Sequence, residues 1–272
     1  MVLPTDPNAK TLTRTTLGLP RWASGLMSLR KDGFFHRLMK KAAYTTVGAA
    51  LLLSSEAFAG PSGENVTAGA ASVSRPDDVT TLVNQQSNSA IIQWQQFGIG
   101  SGEAVRFMQP SAQSRVLNRV MGADPSTIAG ELTANGQVFL VNPAGVFFTQ
   151  GALVNVGGLY AAAGQMSNDD FLAGINRFTN LTGAVENRGI IHAENVVALM
   201  GARAANHGDI VAPTGAVTLQ AGDEVYLSEG VDSSFMVQIE GAEAGEAAGD
   251  EPGVQNTGAI EANDVQLGAG DM

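Results

Sequence analysis

Asn135-Gly-Gln-Val-Phe-Leu-Val-Asn-Pro-Ala-Gly-Val-Phe-Phe-Thr149 sets two apolar runs, 138–141 and 146–148, on either side of the tetrad Asn142-Pro143-Ala144-Gly145. Asn first, Pro second and Gly fourth is the preference of a type I turn, because proline presets φ and the asparagine amide bonds to the backbone ahead. Alone, this is a strand, a corner and a strand. Further along, the same grammar becomes periodic. Asn187-Arg-Gly189-Ile-Ile191-His-Ala193 is followed by Val197-Ala-Leu199, and Asn206-His-Gly208-Asp-Ile210-Val-Ala212 by Val217-Thr-Leu219. The two copies start 19 residues apart. A fixed period of that length marks a solenoid. Alternating apolar residues without a helical return segment make it a β-solenoid rather than a leucine-rich repeat, and 19 residues is about one coil.

A third copy, Asn256-Thr-Gly258-Ala-Ile260-Glu-Ala262 with Val265-Gln-Leu267, begins 50 residues after the second. The spacing predicts two coils and a looped-out acidic segment at 240–251, which lacks the spacing of a calcium loop. Stacked coils would bury Ile191, Val197, Leu199, Ile210, Val217 and Leu219 and align Asn187, Asn206 and Asn256 as an amide ladder. Strands and turns also fill residues 77–150, where only 111–121 has a pattern a short helix would accept. Residues 60–76 read as a leader arm or first edge strand. Trp94, Phe97, Phe107, Phe139, Phe147, Phe148 and Tyr160 gather before residue 161, as in a packed cap, although a β-sandwich core would have the same composition.

The first 59 residues have another character. Arg37, Lys40 and Lys41 precede an apolar run at 42–53, and Ala57-Phe-Ala59 follows. A positive start, a short apolar stretch and an Ala-x-Ala site predict a signal peptide over 1–59, cut between Ala59 and Gly60. Its apolar run is too short to span a bilayer as a helix. Met27 would begin a leader of more ordinary length. Residues 60–272 keep seven arginines, no lysine and 23 acids, a net charge of −16. Such a chain repels nucleic acid and anionic membranes, so neither is an expected partner. The sequence contains no cysteine, which suits a chain that crosses membranes unfolded.

Catalytic chemistry is thinly represented. The pairs Asp77-Asp78, Asp169-Asp170 and Asp223-Glu224 would point to opposite faces of a strand and share no site. His192 and His207 have no third ligand at metal-site spacing. There is no Gly-x-Ser-x-Gly elbow, and Gly98-Ile-Gly100-Ser-Gly102 is a weak phosphate loop. The expectation is a protein that is not an enzyme and that uses no cofactor and no metal.

Several ordered blocks surround the opening stretch: Ile92-Gln-Trp94-Gln-Gln-Phe97-Gly-Ile99-Gly100, Phe107-Met-Gln109-Pro110-Ser111, Leu117-Asn118-Arg119-Val120-Met-Gly122-Ala-Asp124-Pro125-Ser126, Val154-Asn155-Val156-Gly157-Gly158-Leu159 and Asp170-Phe171-Leu172-Ala173-Gly174. In order and spacing, from Asp77 to Leu227, the chain resembles the secretion domain of the filamentous haemagglutinin family, the exported partner of two-partner secretion systems. The resemblance implies an all-β fold, a right-handed parallel β-helix with an N-terminal β cap. It implies passage through the general secretory machinery and engagement of the periplasmic domains of an outer-membrane transporter. The destination would be the medium or the surface of a Gram-negative cell, with adhesin-like or haemagglutinin-like use against a host-cell or surface polysaccharide ligand.

The family's corner motif is usually Asn-Pro-Asn-Gly. Asn142, Pro143, Ala144 and Gly145 are therefore the expected secretion motif, with the second Asn replaced. The expected organisation is a signal peptide at 1–59, a secretion domain at 60–230 and further coils at 231–272. The last of these ends near Met272 without a cap signature, leaving an open strand edge. A polysaccharide-binding or polysaccharide-cleaving protein sharing only the fold is the alternative.

Overall fold

The computed structural model describes residues 60–229, 235–240 and 253–270. The expected signal peptide with Ala57 and Ala59, and nearly all of the expected acidic loop, lie outside the described residues.

Two short strands come first, β1 (Asn65–Ala68) and β2 (Ala71–Ser74). The first coil follows with β3 (Thr80–Gln85) and β4 (Ser89–Trp94), and the second with β5 (Ala104–Met108), β6 (Arg115–Val120) and β7 (Ser126–Ile128). The third holds β8 (Glu131–Ala134), β9 (Gln137–Val141) and β10 (Val146–Phe148). In the fourth, β11 (Leu153–Ala162) leads into an excursion, helix α1 (Asn168–Ala173) and β12 (Asn176–Phe178), before β13 (Ala184–Asn187). β14 (Ile190–Gly201) and β15 (Arg203–Asn206) form the fifth. The sixth is β16 (Asp209–Ala221), an excursion β17 (Glu224–Glu229) with β18 (Phe235–Glu240), and β19 (Val254–Asn256), after which β20 (Ala259–Ala269) continues.

Three parallel stacks result. β3, β5 and β8 lead into the first halves of β11, β14, β16 and β20; β4, β6 and β9 lead into their second halves. β7, β10, β13, β15 and β19 make the third face. This is the parallel β-helix expected above. Its N-terminal end is covered by β1 and β2, from the stretch read as a leader arm or first edge strand, which lie antiparallel on β4 and β3 and occupy an edge that would otherwise be bare. The aromatic cluster read as a packed cap lies in and on the coils instead. Arg75 clasps Glu64 at 2.9 Å across the cap of β1 and β2. From β11 onward two faces fuse into single long strands that bend at an irregularity, such as that between Val156 and Gly158.

Alternation explains the packing. In β6, Val116 and Val120 enter the coil, while Arg115, Leu117 and Arg119 face outward. Residues 111–121, open to a helical reading, are thus partly strand. Parallel partners on both sides, β4 and β9, override a weak local preference. Val197, Leu199, Val217 and Leu219 are buried inside the coil, as the repeat requires. The expected ladder is present: Asn187 Nδ2 donates to Asn206 Oδ1 at 2.8 Å, and Asn206 Nδ2 to Asn256 Oδ1 at 2.9 Å.

The aromatic residues divide between two places. Trp94, Phe97, Phe107 and Phe148 fill the early coils, where Trp94 Nε1 donates to the buried Asn118 Oδ1 at 2.9 Å. Phe139 and Tyr160 face outward, stacked at 4.1 Å, and are covered by Phe171 of α1 and Phe178 of β12. The excursions therefore form a second layer over the middle stack. β12 pairs with β17, and β17 with β18, in an antiparallel sheet. α1 was not foreseen: Ser167 Oγ caps it by accepting from Asp170 N, and Gly174 closes it at φ 78°. The interval of 50 residues between the second and third repeats contains one coil, not two, because β16 pairs directly with β20. The β17–β18 hairpin takes up part of the remainder.

Candidate functional site

The Asn142-Pro143-Ala144-Gly145 corner joins β9 to β10 on the third coil. Gly145 N donates to Asn142 O at 3.0 Å, which closes the turn, and Ala144 N donates to Asn142 Oδ1 at 3.0 Å. The asparagine amide thus bonds ahead, as the sequence suggested. Its other end reaches back one coil: Asn142 Nδ2 donates to Asp124 O and to Ser126 Oγ, both at 3.0 Å. Asn142 N also donates to Ala162 O in the next coil. The side chain is fully buried, and side chain and backbone together let this one residue link three successive coils.

Gly145 sits at φ +117°, and a Cβ there would meet a Phe147 ring carbon at 2.8 Å, so both conformation and space demand glycine. Ala144, by contrast, is exposed, and Pro143 is half-buried. Of the tetrad, Asn142 and Gly145 shape the corner while Pro143 and Ala144 present its surface. Asp124 and Ser126 were quoted above only as part of a block. Their role as anchors of Asn142 depends on the coil stacking a residue 16 to 18 positions earlier against the turn, which no local pattern announces.

Beside the corner lies a cleft of about 520 Å³ lined by Arg119, Met121, Val141, Pro143, Met166 and their neighbours. Arg119 Nη2 donates to Met166 O at 2.6 Å, and its burial lowers its pKa from the ordinary arginine value. On the same strand, the Arg115 guanidinium lies against both the Phe139 and Phe171 rings, 4.7 and 4.9 Å from their centres, and donates to Asn176 Oδ1 at 2.6 Å.

The other candidates separate. Asp169 and Asp170 open helix α1, Asp77 accepts from Val79 N, and Glu224 pairs with Arg177. His192 is exposed on β14, whereas His207 Nδ1 lies 2.6 Å from Thr257 Oγ1 and its Nε2 lies 3.8 Å from Glu186. Among the described residues no three His, Cys, Asp or Glu side chains gather to hold a metal ion. Gly98, Ile99 and Gly100 line a hollow of about 280 Å³ together with Asp124, a poor neighbour for phosphate. No helix among the described residues is long and apolar enough to cross a membrane.

The model of the TPS secretion domain, the two-partner secretion domain, matches residues 57–271. The chain belongs to the TPS secretion-domain family. Proteins with this domain are exported across the outer membrane by way of the periplasm, to the cell surface or beyond. The TPS chain is 36% identical over 226 residues to the heme/hemopexin-binding protein of Haemophilus influenzae (strain ATCC 51907 / DSM 11121 / KW20 / Rd), covering 77% of this chain and 23% of that one. A second Haemophilus influenzae heme/hemopexin-binding protein is 42% identical over 100 residues, covering 37% of this chain and 11% of its own. The TPS chain thus spans less than a quarter of the length of these curated relatives.

Among solved structures, the HMW1 secretion domain from Haemophilus influenzae superposes with a TM-score of 0.65 at 28% identity, covering 76% of this chain and 57% of that one. The filamentous hemagglutinin secretion domain gives 0.59 at 16% identity, covering 77% and 78%, which is a likeness of fold.

Proposed function

We propose that this TPS domain is the address of an exported binding protein. Its β-helix docks on the periplasmic domains of a cognate outer-membrane transporter, and the Asn142 corner gives the docking face its shape. Family membership supports a transporter partner. The observation that carries the role of the corner is the bonding of Asn142 to Asp124, Ser126 and Ala144. A side chain so buried acts through the shape it imposes, while Pro143 and Ala144 offer surface. Residues 1–59 serve as a signal peptide removed between Ala59 and Gly60, and the general secretory machinery delivers the chain to the periplasm. Residues 60–230 form the main body of the secretion unit, and the strand at 259–269 extends its stack.

The work of the exported protein is binding rather than catalysis. Both curated relatives are named for binding, and the acidic pairs form no shared site. A surface role of adhesin type, against a host protein or polysaccharide, fits this reading. The test is export with and without the cognate transporter, comparing extracellular with periplasmic protein for wild type, Asn142→Ala and Ala144→Asn. Asn142→Ala should reach the periplasm and leave it poorly; Ala144→Asn should leave it as well as wild type or better. Transporter-independent export of the wild type would sink the proposal, and normal export of Asn142→Ala would remove the corner from it.

A further inference from the structure

The cleft beside the corner has a chemistry opposite to that of the molecule. Residues 60–272 carry a net charge of −16, yet the charged side chain in the cleft wall is a cation, Arg119, and no acid lines it. The other outward arginine of β6, Arg115, lies against two rings, and Arg75, Arg106, Arg177 and Arg188 each pair with a glutamate. Arg119 has no carboxylate among its described partners; it donates to the carbonyl of Met166 and lines the cleft. Burial is what shifts its pKa, with no contribution from a neighbouring charge. Around it are Met121, Val141, Pro143 and Met166, and Met121 is 58% exposed at the rim.

Resting on the transporter-docking reading, we propose that this cleft receives an acidic segment of the transporter's periplasmic domain. An Asp or Glu carboxylate would meet the Arg119 guanidinium, and an apolar neighbour would pack on Met121, Met166 and Pro143. A planar guanidinium matches a single carboxylate two bonds at a time. Methionines adapt to an apolar side chain of no fixed shape. A membrane or nucleic acid would bring many negative charges against the acids of this chain. One carboxylate on an otherwise apolar segment brings only the charge that the cleft can neutralise. The repulsion from the remaining acids is screened over about 8 Å at physiological ionic strength, so the contact itself decides.

Met121 allows the charge in the cleft to be altered without disturbing the fold, since it stands in solvent at the rim. The mature chain, collected from culture medium, is measured for affinity to the purified periplasmic domain of its cognate transporter, with melting recorded for every variant. Both variants lose the Met121 packing, so the charge is read from their difference: Met121→Glu should bind about tenfold more weakly than Met121→Lys, both melting like wild type. Arg119→Gln should weaken binding to a similar degree, and Arg119→Lys, which keeps the charge but not the paired bonds, should restore only part of it. Equal effects of Met121→Glu and Met121→Lys, or tighter binding by Met121→Glu, would overturn the cleft proposal while leaving docking intact. Absence of wild-type binding would overturn docking itself. Charge-dependent self-association of the chain without the transporter domain would assign the cleft to a second copy and refute the proposal.

Discussion

Removing the Asn142 amide unpairs a backbone carbonyl, a serine hydroxyl and a backbone N–H, all in or beside the core. Three hydrogen bonds at a typical net value each make Asn142→Ala about 2–4 kcal/mol less stable. In a chain of this size that lowers Tm by roughly 5–15 °C. Ala144→Asn, on the surface, should melt like wild type. Calorimetry on the two purified variants checks this; a wild-type Tm for Asn142→Ala would mean the amide acts by contact rather than by shape. The forward bond of Asn142 was legible in Asn-Pro-x-Gly. The backward bonds were not, because they exist only once a coil lies beneath the corner. At the cap, the Arg75 hydrogen bond and charge hold the Glu64 carboxyl below its ordinary value. A folded value lower than the unfolded one adds stability above the ordinary carboxylate range, lost as pH falls through the folded value. The cap should therefore loosen below about pH 4.5, and Glu64→Gln should flatten that acid limb in a melting-versus-pH series.

Among the strands, β16 is the most telling, because Val217 and Leu219 point into the coil between β14 and β20. Val217→Asp would bury an acid without a partner, a cost of roughly 2–7 kcal/mol even when protonated. A variant that retained the wild-type melting curve would refute the register. The register was readable because inward positions repeat with the coil and the Asn ladder marks its corner. The excursions were not readable. β12, β17 and β18 pair with one another across some fifty residues of chain, and their sequences alternate no more clearly than the coil strands do. For the same reason Phe139 and Tyr160 could be seen as large core residues but not assigned to the outer layer.

For the whole molecule, N-terminal sequencing of exported protein should begin at Gly60, and its circular dichroism should be of β type with little helix. A mature chain that retains residue 1 or 27 would disprove the cleavage. The leader motif at 37–59 points to export, composition to acidity and the period to stacking, but none of them reveals how distant coils are tied together. A plain solenoid is coupled only to its nearest neighbours and frays from an end, coil by coil. Here β12, leaving the fourth coil, pairs with β17, leaving the sixth, and passes over the fifth; Arg177 binds Glu224 on the same strap. Coils four to six should therefore open together, as one unit in hydrogen exchange. During passage through a pore the strap cannot close until both excursions have emerged on the same side. Before that, each new coil can be withdrawn with the loss of a single neighbour's contacts. Afterwards, sliding back would require the strap and three coils to come apart at once, so its closure would act as the tooth of a ratchet.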